Sequence, residues 1–228
     1  MVGPNWPSQG ELDIIEGVHL NNNNQITLHT SPGCSPNVGP GGESGRRVEH
    51  ADCGAGGGFN GCGVVDNRPT TFGTPFNANG GGVYASLWTS QGIKVWYFAS
   101  KDVPENIRYG NPDPDSWGLP AANYGNGGCD FDARFRDMSI VSSPVERRQA
   151  NLTDLRSRFL IPRSVAIGPA TSGDQLRAHK LTRAATLMSH RSHNRLARYV
   201  TYKTSERGQN ANKMQSYWLI NSIKVYSV

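Results

Sequence analysis

A chain of 228 residues with 36% hydrophobic residues, 27 glycines and 14 prolines is long enough for one domain with a sizeable core and suits a loop-rich β protein. It holds no run of 18 apolar residues, which excludes a membrane-spanning helix, and no signal peptide is read at its start. The net charge of +5 conceals a split: residues 144–213 carry 14 Lys+Arg against 4 Asp+Glu and the remainder carries 9 against 14. The chain therefore reads as an acidic domain interrupted by a basic segment, not as a uniformly basic nucleic-acid binder.

Glu11-Leu12-Asp13-Ile14-Ile15-Glu16 sets three carboxylates among apolar residues between Gly10 and Gly17. Adjacent isoleucines flanked by glycines predict a strand. Strict alternation would place Glu11, Asp13 and Ile15 on one face and turn Glu16 away. One extra residue, a β-bulge at Ile14-Ile15, returns Glu16 to the face of Glu11 and Asp13. Three carboxylates on one face repel each other. Retaining glycoside hydrolysis gives such a cluster a purpose, with two carboxyl groups about 5–5.5 Å apart. A solvated acidic strand would instead keep strict alternation, which Ile14-Ile15 breaks. Trp6, between Asn5 and Pro7 and five residues before the strand, has an indole face suited to stacking on a sugar ring.

The strand is expected to run on through Gly17 to Leu20, with the four asparagines Asn21 to Asn24 as a hairpin loop. Gln25 to Thr30 is the next strand. A symmetric loop sets residues summing to about 45 opposite one another, which pairs Glu16 with His29. His29 would then reach a carboxylate of the site. Residues 31–82 are loop-rich. Their glycine tracts lack the Lys-Ser/Thr of a phosphate-binding loop, and long loops on a sandwich shape its cleft.

Val83 to Trp88 and Ile93 to Phe98 read as paired strands, with both faces of the second covered, as in a two-sheet sandwich. Trp88 and Trp96 each suit core or cleft. Asp130 to Val141 reads as the start of another strand, with Phe131, Phe135, Met138 and Ile140 apolar. Cys34, Cys53, Cys62 and Cys129 lie in Gly- and Pro-rich loops without a zinc-type spacing. They point to disulfides in a secreted protein, with the pairing open.

Gly10 to Glu16 resembles the active-site signature of glycoside hydrolase family 16, in the bulged E-x-D-x-x-E form of laminarinase-type enzymes. Met1-Val2-Gly3-Pro4-Asn5-Trp6-Pro7 resembles the lead-in of fungal endo-1,3(4)-β-glucanases. Thr27 to Cys34, Gly61-Cys62-Gly63, Asn79 to Tyr84, Ile93 to Trp96 and Tyr217 to Asn221 resemble later blocks of the same family in the same order. The resemblance covers residues 1–142 and 214–228. It implies an all-β sandwich of jelly-roll (concanavalin-like) type and retaining endo-hydrolysis of β-1,3 or mixed β-1,3/1,4 glucans. Glu11 would be the nucleophile, Glu16 the acid/base, Asp13 the residue that tunes the pair, and His29 their support. Trp6, Asn5 and Trp88 are the candidate substrate-binding residues. No cofactor and no metal are expected. The expected partner is a β-glucan polysaccharide, with no nucleic acid or membrane, and the protein is expected to be a monomeric, extracellular enzyme. The competing readings are a β-glucan-binding sandwich without catalysis and a non-functional truncated gene product.

The resemblance also implies strands before Met1 and between Ser142 and Gln215 that this sequence does not supply. The organisation expected is thus an incomplete catalytic core over 1–142, a basic, poorly ordered segment over 143–213 and a closing strand over 214–228. Residues 144–208 hold 3 of the 27 glycines, no cysteine and no tryptophan. A mistranslated stretch, a disordered basic insert and a nucleic-acid-binding insert are the readings left open for them. A chain missing strands on both sides is expected to be marginal or unfolded and to have little activity despite its Glu11/Glu16 pair, with residues 144–208 its least ordered part.

Overall fold

The apolar alternation of the first acidic strand decides which way its sheet faces. In the computed structural model, which describes residues 1–141, 196–202 and 222–227, β1 (Glu11–Glu16) buries Leu12 and Ile14 and turns Glu11 and Asp13 outward. β2 (Gln25–His29), β3 (Arg46–Glu49) and β4 (Cys62–Val65) complete a four-stranded antiparallel sheet in the order β1-β2-β4-β3. A second antiparallel sheet has the order β7-β6-β5-β8-β9. Its strands are β5 (Gly82–Thr89), β6 (Gly92–Ala99), β7 (Ala122–Gly125), β8 (Leu196–Tyr202) and β9 (Ser222–Ser227).

The core lies between the sheets. Leu12, Ile14, Ile26, Leu28 and Val64 of the first meet Tyr84, Ile93, Val95, Tyr97 and Tyr124 of the second. Tyr124, wholly enclosed, donates its hydroxyl to the Ile26 carbonyl at 2.8 Å and so ties β7 to β2 across the core. β6 is covered on both sides as its alternation predicts. Ile93, Val95 and Tyr97 face the core, while Trp96 packs outward, edge-on to Trp117 at 5.2 Å between ring centroids. Two disulfides pin the loops, Cys34–Cys129 and Cys53–Cys62.

Three expectations about elements are corrected. First, β1 stops at Glu16, and the connection to β2 takes all of residues 17–24. His19 there adopts a left-handed backbone (φ 53°) that no strand accommodates. Second, Phe131–Arg134 is a helical turn capped by the Asp130 carboxylate, which accepts from the Ala133 N–H at 3.0 Å. The apolar residues Phe131, Phe135 and Met138 are spaced four and three apart, which is a helical period. The two phenylalanine rings accordingly stack at 5.7 Å. Third, within the basic segment where none of the family's strands is expected, Leu196–Tyr202 forms β8 and pairs along β5 from Gly82↔Tyr202 to Trp88↔Leu196. Its sequence, with Tyr199-Val200-Thr201-Tyr202, favours extended backbone. β9 then pairs with β8, and the rest of 143–213 and residues 214–221 lie outside the described residues.

Candidate active site

The β1–β2 register builds the site. Glu11 pairs with His29, Leu12 with Leu28 and Asp13 with Thr27, after which the count slips by one and Glu16 pairs with Gln25. The slip is the bulge at Ile14-Ile15. It leaves backbone groups of β1 without ladder partners, which a buried strand does not tolerate. The side chain of Asn24 supplies those partners. Its Oδ1 accepts from the Glu16 N–H at 3.0 Å, and its Nδ2 donates to the Ile14 carbonyl at 2.8 Å.

The bulge brings Glu16 back to the outer face. Its Oε2 accepts from the Thr27 hydroxyl, and Thr27 stands opposite Asp13. The Thr27 oxygen is itself braced by the Gln25 side-chain amide at 3.1 Å. Two residues further along β2, His29 sets its Nε2 3.2 Å from Asp13 Oδ2. Its Nδ1 lies 2.6 Å from the Gly58 carbonyl. At the other end of the row, Trp6 Nε1 donates to Glu11 Oε2 at 2.7 Å. Glu11, Asp13, Glu16 and His29 therefore share one face of the sheet. The expected pairing of Glu16 with His29 is corrected: His29 faces Glu11 and bonds Asp13. The reason is the asymmetric connection, since residues 17–24 leave Glu16, not Leu20, as the last paired residue.

Burial pushes the Glu11 carboxyl above the usual carboxylate range, and the negative charge of Asp13 pushes it further. The Trp6 N–H and the His29 charge oppose both. Burial alone would lower the His29 pKa. The hydrogen bonds to Asp13 and to the Gly58 carbonyl, with the charges of Asp13 and Glu11, outweigh it and raise the ring to about 9. With an acceptor at each nitrogen, His29 is a doubly protonated donor near neutral pH. Donor atoms of Glu11, Asp13 and His29 lie within 4.8 Å of one another. Within this cluster His29 Nε2 is bonded to Asp13 and its Nδ1 to the Gly58 carbonyl, while Glu11 is bonded to the Trp6 N–H.

Beside the row lies an open cleft of about 420 Å³. Glu16, Gln25, Thr27 and His29 form its strand side, and His50, Phe59 and Asn60 form its loop side. Phe59 is 77% exposed and meets Trp6 edge-on at 4.9 Å. The loop must approach His29 closely here. Gly61 has φ +68°, and a Cβ on it would sit 2.7 Å from the His29 ring. Of the other candidates, Trp88 packs against the core and edge-on to Phe135 at 6.0 Å, and it is not among the described residues lining this cleft. Asn5 donates from its N–H and Nδ2 to Gln9 Oε1, at 3.1 and 2.7 Å, which closes the turn that presents Trp6.

Sequence reasoning missed Asn24, Thr27, Phe59 and the Gly58 carbonyl. The correct register would have revealed Thr27 as the outward residue between Gln25 and His29. Phe59, a lone aromatic in a glycine tract, was a legible signal. In sequence, Asn24 is indistinguishable from its three neighbouring turn asparagines.

A two-sheet antiparallel sandwich with a carboxylate row and a cleft on the outer face of one sheet defines the class of molecule, a jelly-roll sandwich. Residues 1–143 match the family described as the XgeA-like, catalytic GH16 domain, and the chain belongs to that family. It is 44% identical over 140 residues to a probable endo-1,3(4)-beta-glucanase of Aspergillus flavus, and 42% identical over 140 residues to the endo-1,3(4)-beta-glucanase xgeA of Emericella nidulans. Each match covers 61% of this chain, and 20% and 22% of those proteins. The chain thus spans about a fifth of the length of these curated relatives.

Among solved structures it resembles an elongating GH family 16 β-1,3-glucosyltransferase, with 37% identity and a TM-score of 0.53, covering 59% of this chain and 44% of that one. It also resembles Laminarinase 16A of Phanerochaete chrysosporium, determined with β-glucans (6-O-glucosyl-laminaritriose) in its donor and acceptor sites. There the identity is 38% and the TM-score 0.51, covering 57% of this chain and 45% of that one.

Proposed function

We propose that this chain carries the reaction centre of a retaining endo-glucanase acting on β-1,3 or mixed β-1,3/1,4 glucans. The observation that supports it most is the bulge, which sets Glu11 and Glu16 on one face of one strand. A binding sandwich has no use for a paired, hydrogen-bonded carboxylate row beside its cleft. The names of the relatives favour the same substrate class.

Glu11, ionised and held by the Trp6 N–H, attacks the anomeric carbon. The carbon–oxygen bond to the leaving sugar breaks as Glu16 delivers its proton to that oxygen. Glu16, now a carboxylate, takes a proton from water, and the resulting hydroxide displaces Glu11 from the anomeric carbon. Asp13 and the cationic His29 hold the row together and temper the charge that Glu11 carries into the first step. A sugar hydroxyl in place of water would give transfer instead of hydrolysis, the reaction named for one structural neighbour. The two disulfides support an oxidising, extracellular setting.

The test is reducing-sugar release from laminarin and from barley mixed-linkage glucan by the 228-residue chain, with Glu11→Gln and Glu16→Gln as controls. Turnover by the parent and loss in both variants are expected. Products longer than the substrate would indicate transfer. Retention on a glucan column without turnover would support a binding module.

A further inference from the structure

We propose that Asn24 is the positioning residue of Glu16, and that the aim of the acid/base is set from the loop holding Thr71. This rests on the reading of Glu16 as acid/base. Asn24 is 1% exposed, so its amide serves nothing outside the fold. It grips the bulge on both sides, at the Ile14 carbonyl and at the Glu16 N–H, 2.8 and 3.0 Å away. Those two bonds fix the peptide planes on either side of Ile15 and therefore the direction in which the Glu16 Cα–Cβ bond leaves the strand.

Asn24 is itself anchored in three dimensions. Its N–H donates to the Thr71 hydroxyl at 2.8 Å, and its carbonyl accepts from the Asp66 N–H at 2.9 Å. Thr71 is completely buried and donates onward to the Arg68 carbonyl at 3.1 Å. The loop over residues 66–71 is in this way connected to the peptide that carries the acid/base. An ordinary ladder bond could not do this, because the bulge removes the ladder at this point. A side-chain amide, with a donor and an acceptor on one rigid plane, can satisfy a carbonyl and an N–H two residues apart.

The reaction distinguishes positioning from mere stability. An aryl glycoside with a dinitrophenolate leaving group needs no proton to depart, whereas a glucan leaving group does. Asn24→Ala and the isosteric Asn24→Asp should therefore lose glucan turnover while keeping the initial burst of dinitrophenolate. Misplacing a reacting group by an ångström costs about 10²-fold. We expect a loss of that order on laminarin and a burst rate within about threefold of the parent, both per folded molecule as counted by burst amplitude, because unfolding lowers both rates together and leaves their ratio unchanged. Asn24→Asp keeps the acceptor for the Glu16 N–H but faces the Ile14 carbonyl with a second oxygen, so it carries the test if the alanine variant does not fold. An unchanged ratio of the two rates in a folded variant would overturn the proposal. Absence of turnover in the parent would instead overturn the reading of the site as a glucanase.

Discussion

His29 stands directly across the β1–β2 ladder from Glu11, yet its Nε2 reaches diagonally to Asp13, 3.2 Å away. The Gly58 carbonyl holds the other nitrogen, so the ring bridges a strand and a glycine loop. Its folded-state pKa of about 9 lies above the unfolded value of about 6.5. The stabilisation this gives is therefore complete below about pH 6.5 and is lost as pH rises through about 9. Replacing His29 by Gln should cost on the order of 2 kcal/mol at pH 6 and much less at pH 10. Thermal melts of both proteins across that range check it, and parallel curves would contradict it. Turnover should fall further than stability does, because Asp13 then loses its cation beside Glu11.

Trp6 opposes the burial of Glu11 by donating to its carboxylate at 2.7 Å. The bond favours the ionised form, so its removal raises the Glu11 pKa still further. Trp6→Phe should shift the acid limb of the kcat/KM profile to higher pH. It should also cut kcat/KM near neutrality by about tenfold, the weight of one hydrogen bond to a charged group. An unmoved acid limb would show that Trp6 serves substrate contact alone.

Glu11 is destabilising where it is useful. Its folded pKa is raised by burial and by Asp13, so the stability it contributes is complete only below its unfolded pKa and is lost as pH rises through its folded pKa. Near neutrality the ionised side chain weakens the fold. Glu11→Gln keeps the acceptor for Trp6 and discards the charge. We expect it to raise the melting temperature at pH 7 by a few degrees while abolishing turnover. A lower melting temperature would mean that the carboxylate is needed to hold the row together.

The sequence was most informative where a local pattern was broken. Ile14-Ile15 violates alternation, and that violation alone implied the bulge and the shared face of Glu11, Asp13 and Glu16. Register was less legible. The pairing of His29 depends on where β1 ends, which is set by the left-handed turn at His19 and by the contacts of Asn24 with Thr71 and Asp66. Asp66 and Thr71 lie more than forty residues from β1 in sequence. Phe131 and Phe135 are illegible for a different reason, because a single helical turn gives a periodicity too short to separate from a strand. The strand β8 lies beyond a segment poor in glycine, without cysteine or tryptophan, and its place beside β5 is a long-range pairing. The role of Asn24 was hidden because an asparagine beside three others looks like a turn, whatever its side chain holds.

The disulfide Cys53–Cys62 closes the loop that supplies both the Gly58 carbonyl to His29 and Phe59 to the cleft. Cys62 begins β4, which pairs with β2 through Leu28↔Cys62, so the bond fastens that loop to the strand beside the carboxylate row. Closing a loop of this size is worth roughly 2–3 kcal/mol through the unfolded chain. Removing the bond by Cys53→Ser with Cys62→Ser should lower stability by that amount. A local effect is expected as well. With the loop loosened, the Gly58 carbonyl no longer holds Nδ1, one of the two hydrogen bonds that raise the His29 pKa is lost, and the His29 pKa falls. The same loosening frees Phe59, so KM for laminarin should rise more than kcat falls. The measurement is a histidine titration by NMR, with kinetics, on the double variant well below its melting temperature. A His29 pKa still at about 9, together with an unchanged KM, would show that the loop keeps its place without the bond.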